Sequence, residues 1–382
     1  MNILYITPLL PKSVLMQVFE KDKSSYVFAP QKFHRNLVEG FIENGHHVQV
    51  LSILPASVPY IEQLVEEGVH YQFIKYKNKT GVKHLQIARA VYRKIKDKQS
   101  FSPDAIICDT LNVSMCLGAL IARRSAKSKL TAIVTDLPNS VSKYEKGIKN
   151  RASSFLSGKY IMSFDYYVLL TEQMNDVVNI KRKPYIIMEG VCDLPEDHDK
   201  TNSQNDGKRR LLYAGGRPSK DGVDLLITAF RQLPYPDVQL DIYGNMPEVE
   251  LGHDPADPRI IYHGKTENSI ISAAEKESYL LVNPRPTTEE YTKYSFPSKV
   301  MEYMASGTPM VTTKLAGIPK EYFQYVYVFG EYTVECYRSV LHNILEISQD
   351  NHWKLGKEAK SFVEKNKNKV VQTQRITTLY NK

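Results

Sequence analysis

The sequence predicts an α/β protein of two Rossmann-like, doubly wound domains facing one another across a cleft. Three observations lead there. The chain has 382 residues, more than one ordinary hydrophobic core serves. Short apolar runs alternate with helical patterns in both halves, which implies parallel sheets. Between the halves lies a polar, aperiodic stretch, CDLPEDHDKTNSQNDGKRR, which reads as a linker or mobile loop.

The first half opens on NILYIT, a buried-type strand. Phe33, Leu37, Phe41 and Ile42 then recur at helical spacing, and Gly45 closes that helix. HHVQVLSI is the next strand, and DAIICD, KLTAIVTD and YYVLLT follow. HLQIARAVYRKI and SMCLGALIARR supply helices between them. After PYIIMEGV and the linker, alternation restarts. RRLLYAG, VQLDIYG, RIIYHG, SYLLVN and TPMVTT read as strands, and GVDLLITAFRQL, SIISAAEKE and SKVMEYMAS as helices. The expected division is 1–188, a linker at 189–209, 210–365, and a terminal helix at 366–382 packing back on the first domain. A hinge near Glu189 to Lys208 would let the cleft close on a ligand.

Charged residues make up 24% and hydrophobic residues 42%, as in globular proteins. The formal net charge is +8, which suits a phosphate-bearing ligand, nucleic acid or an anionic membrane surface. No zinc-finger spacing and no aromatic-basic RNA motif occurs, which argues against nucleic acid. The four cysteines are far apart, so a reduced, cytoplasmic setting is expected. MNILYITPLL lacks a basic leader and reads as a strand, and no apolar run reaches membrane-spanning length.

The chemistry concentrates in YSFPSKVMEYMASGTPMVTT, Tyr294 to Thr313. Phe296 and Pro297 lead into a helix whose free N–H groups and dipole favour an anion. Ser298 adds a hydroxyl and Lys299 a positive charge, and Glu302 lies one turn on from Ser298. A carboxylate one turn from a phosphate is placed to accept both ribose hydroxyls of a nucleoside diphosphate. The competing reading has Lys299 and Glu302 solvated and Ser298 merely capping. A second stretch, LLYAGGRPSKDGVDLLITAF, puts Gly215, Gly216, Arg217 and Lys220 between a strand and a helix. The glycines permit a tight turn and close ligand approach, and the two cations suit phosphate oxygens. It is neither a Walker loop nor GxGxxG; the competing reading is a surface loop with unrelated cations. DPADP, Asp254 to Pro258, superficially resembles a metal motif but reads as a turn between strands.

AGGRPSKDGVDLLITAF, IYGN, LVNPRP and FPSKVMEYMASGTPMVTT with GIPKEY resemble, in order and spacing, the C-terminal domain of GT-B glycosyltransferases, especially glycosyltransferase family 4. The likeness is strong over about residues 210 to 325 and looser through NILYIT, LVEGFIENGHHVQVLS, IICD and IVTDLP. It implies an acceptor-binding N-terminal domain, a C-terminal domain for a nucleotide sugar, transfer with retention, and neither a cofactor nor a metal. It gives Arg217 and Lys220 the donor diphosphate and Glu302, the second glutamate of E-x7-E, the ribose. The first glutamate of that motif falls at Tyr294; Glu289 and Glu290 lie nearby, as substitutes or as solvated loop residues. In the FPSK-type sub-group, Ser298 and Lys299 help hold the phosphates. Asp136 ends a strand where acceptor and donor would meet, as base, as orienting group, or as a cap of the next loop.

Gln31, His34 and Arg35, in PQKFHRNL at the start of the first helix, are acceptor candidates, or else solvated helix-start residues. Ser142 to Phe164 mixes Lys143, Lys146, Lys149, Arg151 and Lys159 with apolar residues, which suits an anionic membrane and a polyprenyl-linked acceptor, or an ordinary exposed helix. The function expected is hexose transfer from a nucleotide sugar, UDP-linked before GDP-linked, to a glycan or lipid-linked glycan of a cell-surface polysaccharide. Two alternatives remain at this point: a UDP-sugar 2-epimerase of the same fold, and a degenerate nucleotide-binding partner protein.

Overall fold

The computed structural model describes residues 1–21, 28–79, 82–97, 101–126, 128–137, 159–192, 207–215, 220–245 and 251–381. The chain forms two units, Met1–Val191 with Lys369–Lys382, and Cys192–Asn368. Each holds one mostly parallel sheet.

In the first unit β1 (Asn2–Ile6), β2 (His47–Ile53), β3 (Gln63–Glu66), β4 (Val69–Ile74), β5 (Ala105–Asp109), β6 (Lys129–Val134), β7 (Tyr166–Leu169) and β8 (Tyr185–Ile187) lie in the order β3-β4-β2-β1-β5-β6-β7-β8. Only β3 runs antiparallel, joined to β4 through Glu67 and Gly68, both with positive φ. This hairpin was not foreseen in the sequence. The chain leaves β1 toward β2 and later continues from β5 on the other side. The sheet therefore reverses winding between β1 and β5, the place where α/β sheets bind ligands. The first helix is α1 (Lys12–Lys21), not the PQKFHRNL segment, which lies inside α2 (Phe28–Glu43).

Three more helices, α3 (Lys83–Lys96), α4 (Val113–Ala126) and α5 (Glu172–Val178), are described before the second unit. Right-handed crossovers put α3 and α4 on the opposite face of the sheet from α2. The segment 366–382, expected as a terminal helix, holds α11 (Lys369–Thr378), which follows α10 (Gln349–Asn366) after residues 367–368. Only α11 belongs to the first unit, packed on α2 with Lys369 Nζ 2.9 Å from Glu39 Oε2.

In the second unit β9 (Arg209–Ala214), β10 (Val238–Tyr243), β11 (Gly252–Asp254), β12 (Asp257–Gly264), β13 (Leu280–Asn283), β14 (Met310–Thr313) and β15 (Tyr327–Phe329) follow the order β11-β12-β10-β9-β13-β14-β15. Winding reverses between β9 and β13. Helices α6 (Val223–Arg231) and α9 (Val334–Leu345) pack together, while α7 (Asn268–Glu277) and α10 pack on α8 (Ser298–Ser306). Each sheet thus has helices on both faces, which explains strands buried almost end to end, such as β5, β10 and β13. DPADP is the turn from β11 to β12. Asp254 Oδ1 accepts from the N–H of Ala256 at 2.7 Å, and its other oxygen pairs with Arg231 at 2.8 Å. Asp257 pairs with Arg259 at 2.7 Å, so both carboxylates are engaged within the unit.

Candidate functional site

The winding reversal of the second sheet sets the β9–α6 loop beside the β13–α8 loop. Gly215 follows β9, and Gly216 and Arg217 lie outside the described residues. Lys220 is exposed. The lack of a side chain at Gly215 also has a use within the fold. A Cβ there would collide with the Tyr213 hydroxyl, and Gly215 lacks positive φ, so the space belongs to that ring. Tyr213 donates to Asp221 Oδ2 at 2.9 Å, and burial followed by the Asp221 charge pushes its hydroxyl pKa far up. Asp221 Oδ1 in turn lies 3.4 Å from Arg285 Nε, on the loop after β13. Gly222 has φ +80° and leaves no room for a Cβ beside the Pro284 carbonyl. Tyr213, Asp221, Gly222 and Arg285 therefore tie the two loops together. None was singled out in the sequence, although LVNPRP carried Arg285.

Helix α8 begins as the sequence indicates. Pro297 precedes it without a side-chain cap, and Gly307 ends it in the left-handed region at φ +78°. Phe296 and Pro297, expected among the donor contacts, are buried at the entry to the helix. Phe296 packs on Tyr322 with ring centroids 5.4 Å apart and anchors the entry to the helix. Gly317, from GIPKEY, lets the chain press on the Thr292 and Ser295 carbonyls, which fixes the same entry from the other side. Ser298 is exposed. Tyr294 is half-buried, and Glu289 and Glu290 are exposed at a short 3-10 helix.

Lys299 is not solvated, contrary to the competing reading. Its Nζ is 2.8 Å from Glu302 Oε2 and 3.3 Å from Glu275 Oε1. Glu275, on α7, is buried, and nothing in its sequence surroundings singled it out. Burial, then the Glu302 charge, raise its carboxyl pKa, while Lys299 opposes both. Burial alone would lower the Lys299 pKa, but Glu302 first and Glu275 second more than reverse it, so the ammonium stays charged. Glu302 is half-exposed at the outer end of this chain of charges. A buried carboxylate and an accessible carboxylate thus share a half-buried ammonium beside the start of α8.

The first unit holds a separate polar cluster at its own winding reversal, where β1 and β5 end. Asp109 Oδ2 accepts from the Thr7 hydroxyl at 3.3 Å and faces His34 Nε2 at 3.5 Å. The Leu111 N–H donates to Asp109 Oδ1 at 3.0 Å. His34 Nδ1 lies 2.7 Å from the Tyr5 hydroxyl. Burial would raise the Asp109 pKa, but the charge and hydrogen bond of His34, with the donors of Leu111 and Asn112, hold it below the usual range.

The expectation for Gln31, His34 and Arg35 changes accordingly. Gln31 and His34 are buried rather than solvated. Gln31 accepts from the Leu10 N–H at 2.9 Å and donates to the Pro8 carbonyl at 2.8 Å, and Arg35 donates to the Leu10 carbonyl at 2.9 Å. Gln31 and Arg35 brace the β1–α1 loop, while His34 joins Tyr5 to Asp109. Asp136 follows β6 and reaches solvent; protein on its inner side, and secondly the Asp109 charge, raise its carboxyl pKa. Of the basic segment Ser142 to Phe164, residues up to 158 lie outside the described residues, and Lys159 is exposed.

Residues 208–329 match the family model described as glycosyl transferases group 1. No curated protein matches the chain in sequence. Several solved structures share its fold. Sucrose-phosphate synthase (tll1590) from Thermosynechococcus elongatus aligns over 100% of this chain and 98% of its own, with TM-score 0.64 and 14% identity. Anabaena Alr3699/HepE in complex with UDP and glucose aligns over 100% and 99%, with TM-score 0.60 and 12% identity. The lipopolysaccharide outer core galactosyltransferase WaaB aligns over 100% and 99%, with TM-score 0.65 and 12% identity. The chain therefore has the two-domain GT-B architecture.

Proposed function

We propose that the chain is a metal-independent hexosyltransferase that uses a nucleotide sugar. The observation that carries this is the Lys299–Glu302 pair beside the start of α8, inside the region that matches the group 1 family model. A nucleoside diphosphate fits both halves of that pair. Its phosphates take up the Lys299 ammonium, Ser298 and the N–H groups at the start of α8. Glu302, released from Lys299, accepts the two ribose hydroxyls. Arg217 and Lys220 complete the phosphate clamp from the β9–α6 loop.

The clamp serves the chemistry as well as binding. As the bond between sugar C1 and the diphosphate oxygen breaks, negative charge grows on the departing nucleoside diphosphate. Cations fixed around it stabilise the transition state more than the ground state. The acceptor hydroxyl oxygen bonds to C1 on the face the diphosphate leaves, which gives retention, and Asp136 receives its proton. A raised carboxyl pKa suits that role. UDP is favoured because a fold relative, Anabaena Alr3699/HepE, is seen in complex with UDP, and with UDP and glucose. The acceptor is a glycan or lipid-linked glycan of a cell-surface polysaccharide, met on the cytoplasmic side of the membrane.

The test is turnover. Purified protein with EDTA is supplied with a polyprenyl-linked glycan acceptor and UDP-glucose, UDP-galactose or GDP-mannose, and release of nucleoside diphosphate is followed. One donor is expected to turn over, with kcat about tenfold to a thousandfold lower in Arg217→Ala and Lys220→Ala. No release from any donor contradicts the reading, as does activity that EDTA abolishes.

A further inference from the structure

Positive charge is not spread evenly along this chain. From Lys75 to Lys96 there are eight lysines and arginines and no aspartate or glutamate. That stretch alone carries a charge equal to the formal net charge of +8, so the rest of the chain balances to neutrality. It folds as the connection from β4 and the whole of α3. Among the described residues, no ion pair joins any of its cations to a carboxylate, although ion pairs are common elsewhere.

The same layer exposes aliphatic side chains. Helix α3 buries Ile87, Val91 and Ile95 at four-residue spacing and packs on α4. His84 Nδ1 lies 2.6 Å from Ser114 Oγ, and Gly118 brings α4 against Ala88 and Val91. With that seam fixed, Leu85 is 71% exposed beside His84, and Ile121 is 63% exposed one turn beyond Gly118. Val82 and Leu117 are exposed with them. Such side chains gain nothing from water, and cations without carboxylate partners gain most from an anionic surface.

We propose that the α3–α4 face docks on an anionic lipid bilayer. Lysines and arginines of α3 meet headgroup phosphates, and Val82, Leu85, Leu117 and Ile121 enter the boundary with the acyl chains. The exposed aliphatic residues favour this partner over nucleic acid, since the rings that Lys83 and Lys96 overlie, Tyr76 and Tyr92, are half-buried rather than presented for stacking. The docking face is separate in sequence from the Ser142 to Phe164 segment and rests on charge and exposure alone, not on the transferase reading.

The test is co-sedimentation of the full chain with vesicles of phosphatidylcholine, alone or mixed with phosphatidylglycerol, at low and high salt. Binding is expected only with phosphatidylglycerol, and is expected to weaken as salt rises. The triple variant Lys83→Glu/Arg89→Glu/Arg93→Glu should lower the partition coefficient by about a hundredfold or more. Leu85→Asp/Ile121→Asp should also weaken binding, and Lys354→Glu/Lys357→Glu on α10 should not. Unchanged melting temperatures show that each variant is folded. Equal binding to neutral and anionic vesicles overturns the proposal, as does full binding by the triple variant. Binding to single-stranded RNA with none to vesicles overturns it too, and assigns the face to nucleic acid.

Discussion

The ammonium of Lys299 sits 2.8 Å from the carboxylate of Glu302, three residues further along α8. Behind it, 3.3 Å away, stands the buried carboxylate of Glu275. One cation thus serves a carboxylate that protein has desolvated and another that solvent can reach. Free energy therefore differs greatly according to which member is removed.

Lys299→Met leaves Glu275 buried without its cation. The expected loss of stability is about 3 kcal/mol, read from urea denaturation. Glu275→Gln should cost less, and the double variant should fall well short of the sum of the two. The pH dependence has a definite sign. Without Lys299 the Glu275 pKa rises further above its unfolded value. A group so raised favours the fold at low pH and penalises it as pH rises through the folded pKa. The deficit of Lys299→Met should therefore shrink below the ordinary glutamate value of 4.5. A deficit independent of pH would show that Glu275 does not depend on Lys299.

Much of this helix was legible in the sequence. Pro297 and Gly307 bracket it, and the four-residue step from Ser298 to Glu302 follows from helical geometry. Glu275 was not legible. In SIISAAEKE it is one of three charged residues at the end of an amphipathic pattern, and only the packing of α7 on α8 buries it. His34 was misjudged for a different reason. The helix starts at Phe28, so His34 lies on the stripe with Leu37, Val38 and Phe41, at positions that face the core. The signal was present in the spacing, but a polar residue concealed it. The Tyr213–Asp221–Arg285 chain spans separate loops, and no local pattern announces such a tie.

Asp109 supplies a second pH prediction, of opposite sign. Its folded pKa lies below the unfolded value, so it contributes stability that is present above the unfolded pKa and lost as pH falls through the folded one. Asp109→Asn should cost about 3 kcal/mol near neutrality, because His34 and Thr7 lose a charged partner. The difference from wild type should close as pH drops below the ordinary aspartate value of 3.8. Persistence of the full difference in acid would contradict this account of the cluster.

Asp136 should shape the pH profile of turnover. Burial and Asp109 raise its pKa above 3.8, and a base acts only when deprotonated. The rate should rise with pH through that elevated pKa, and Asp136→Asn should remove this limb while leaving donor binding intact. Retention of the limb in the variant would assign the proton to another group.

The central claim is that Glu302 holds a ribose once nucleotide phosphates draw Lys299 away. Calorimetric titration of UDP into wild type and Glu302→Ala, without metal, tests it most directly. Wild type should bind UDP, and the variant should bind it more weakly by about 1.5–3 kcal/mol, the loss expected when hydrogen bonds to a charged group disappear. Equal affinity in the two proteins, or no UDP binding by wild type, would contradict it.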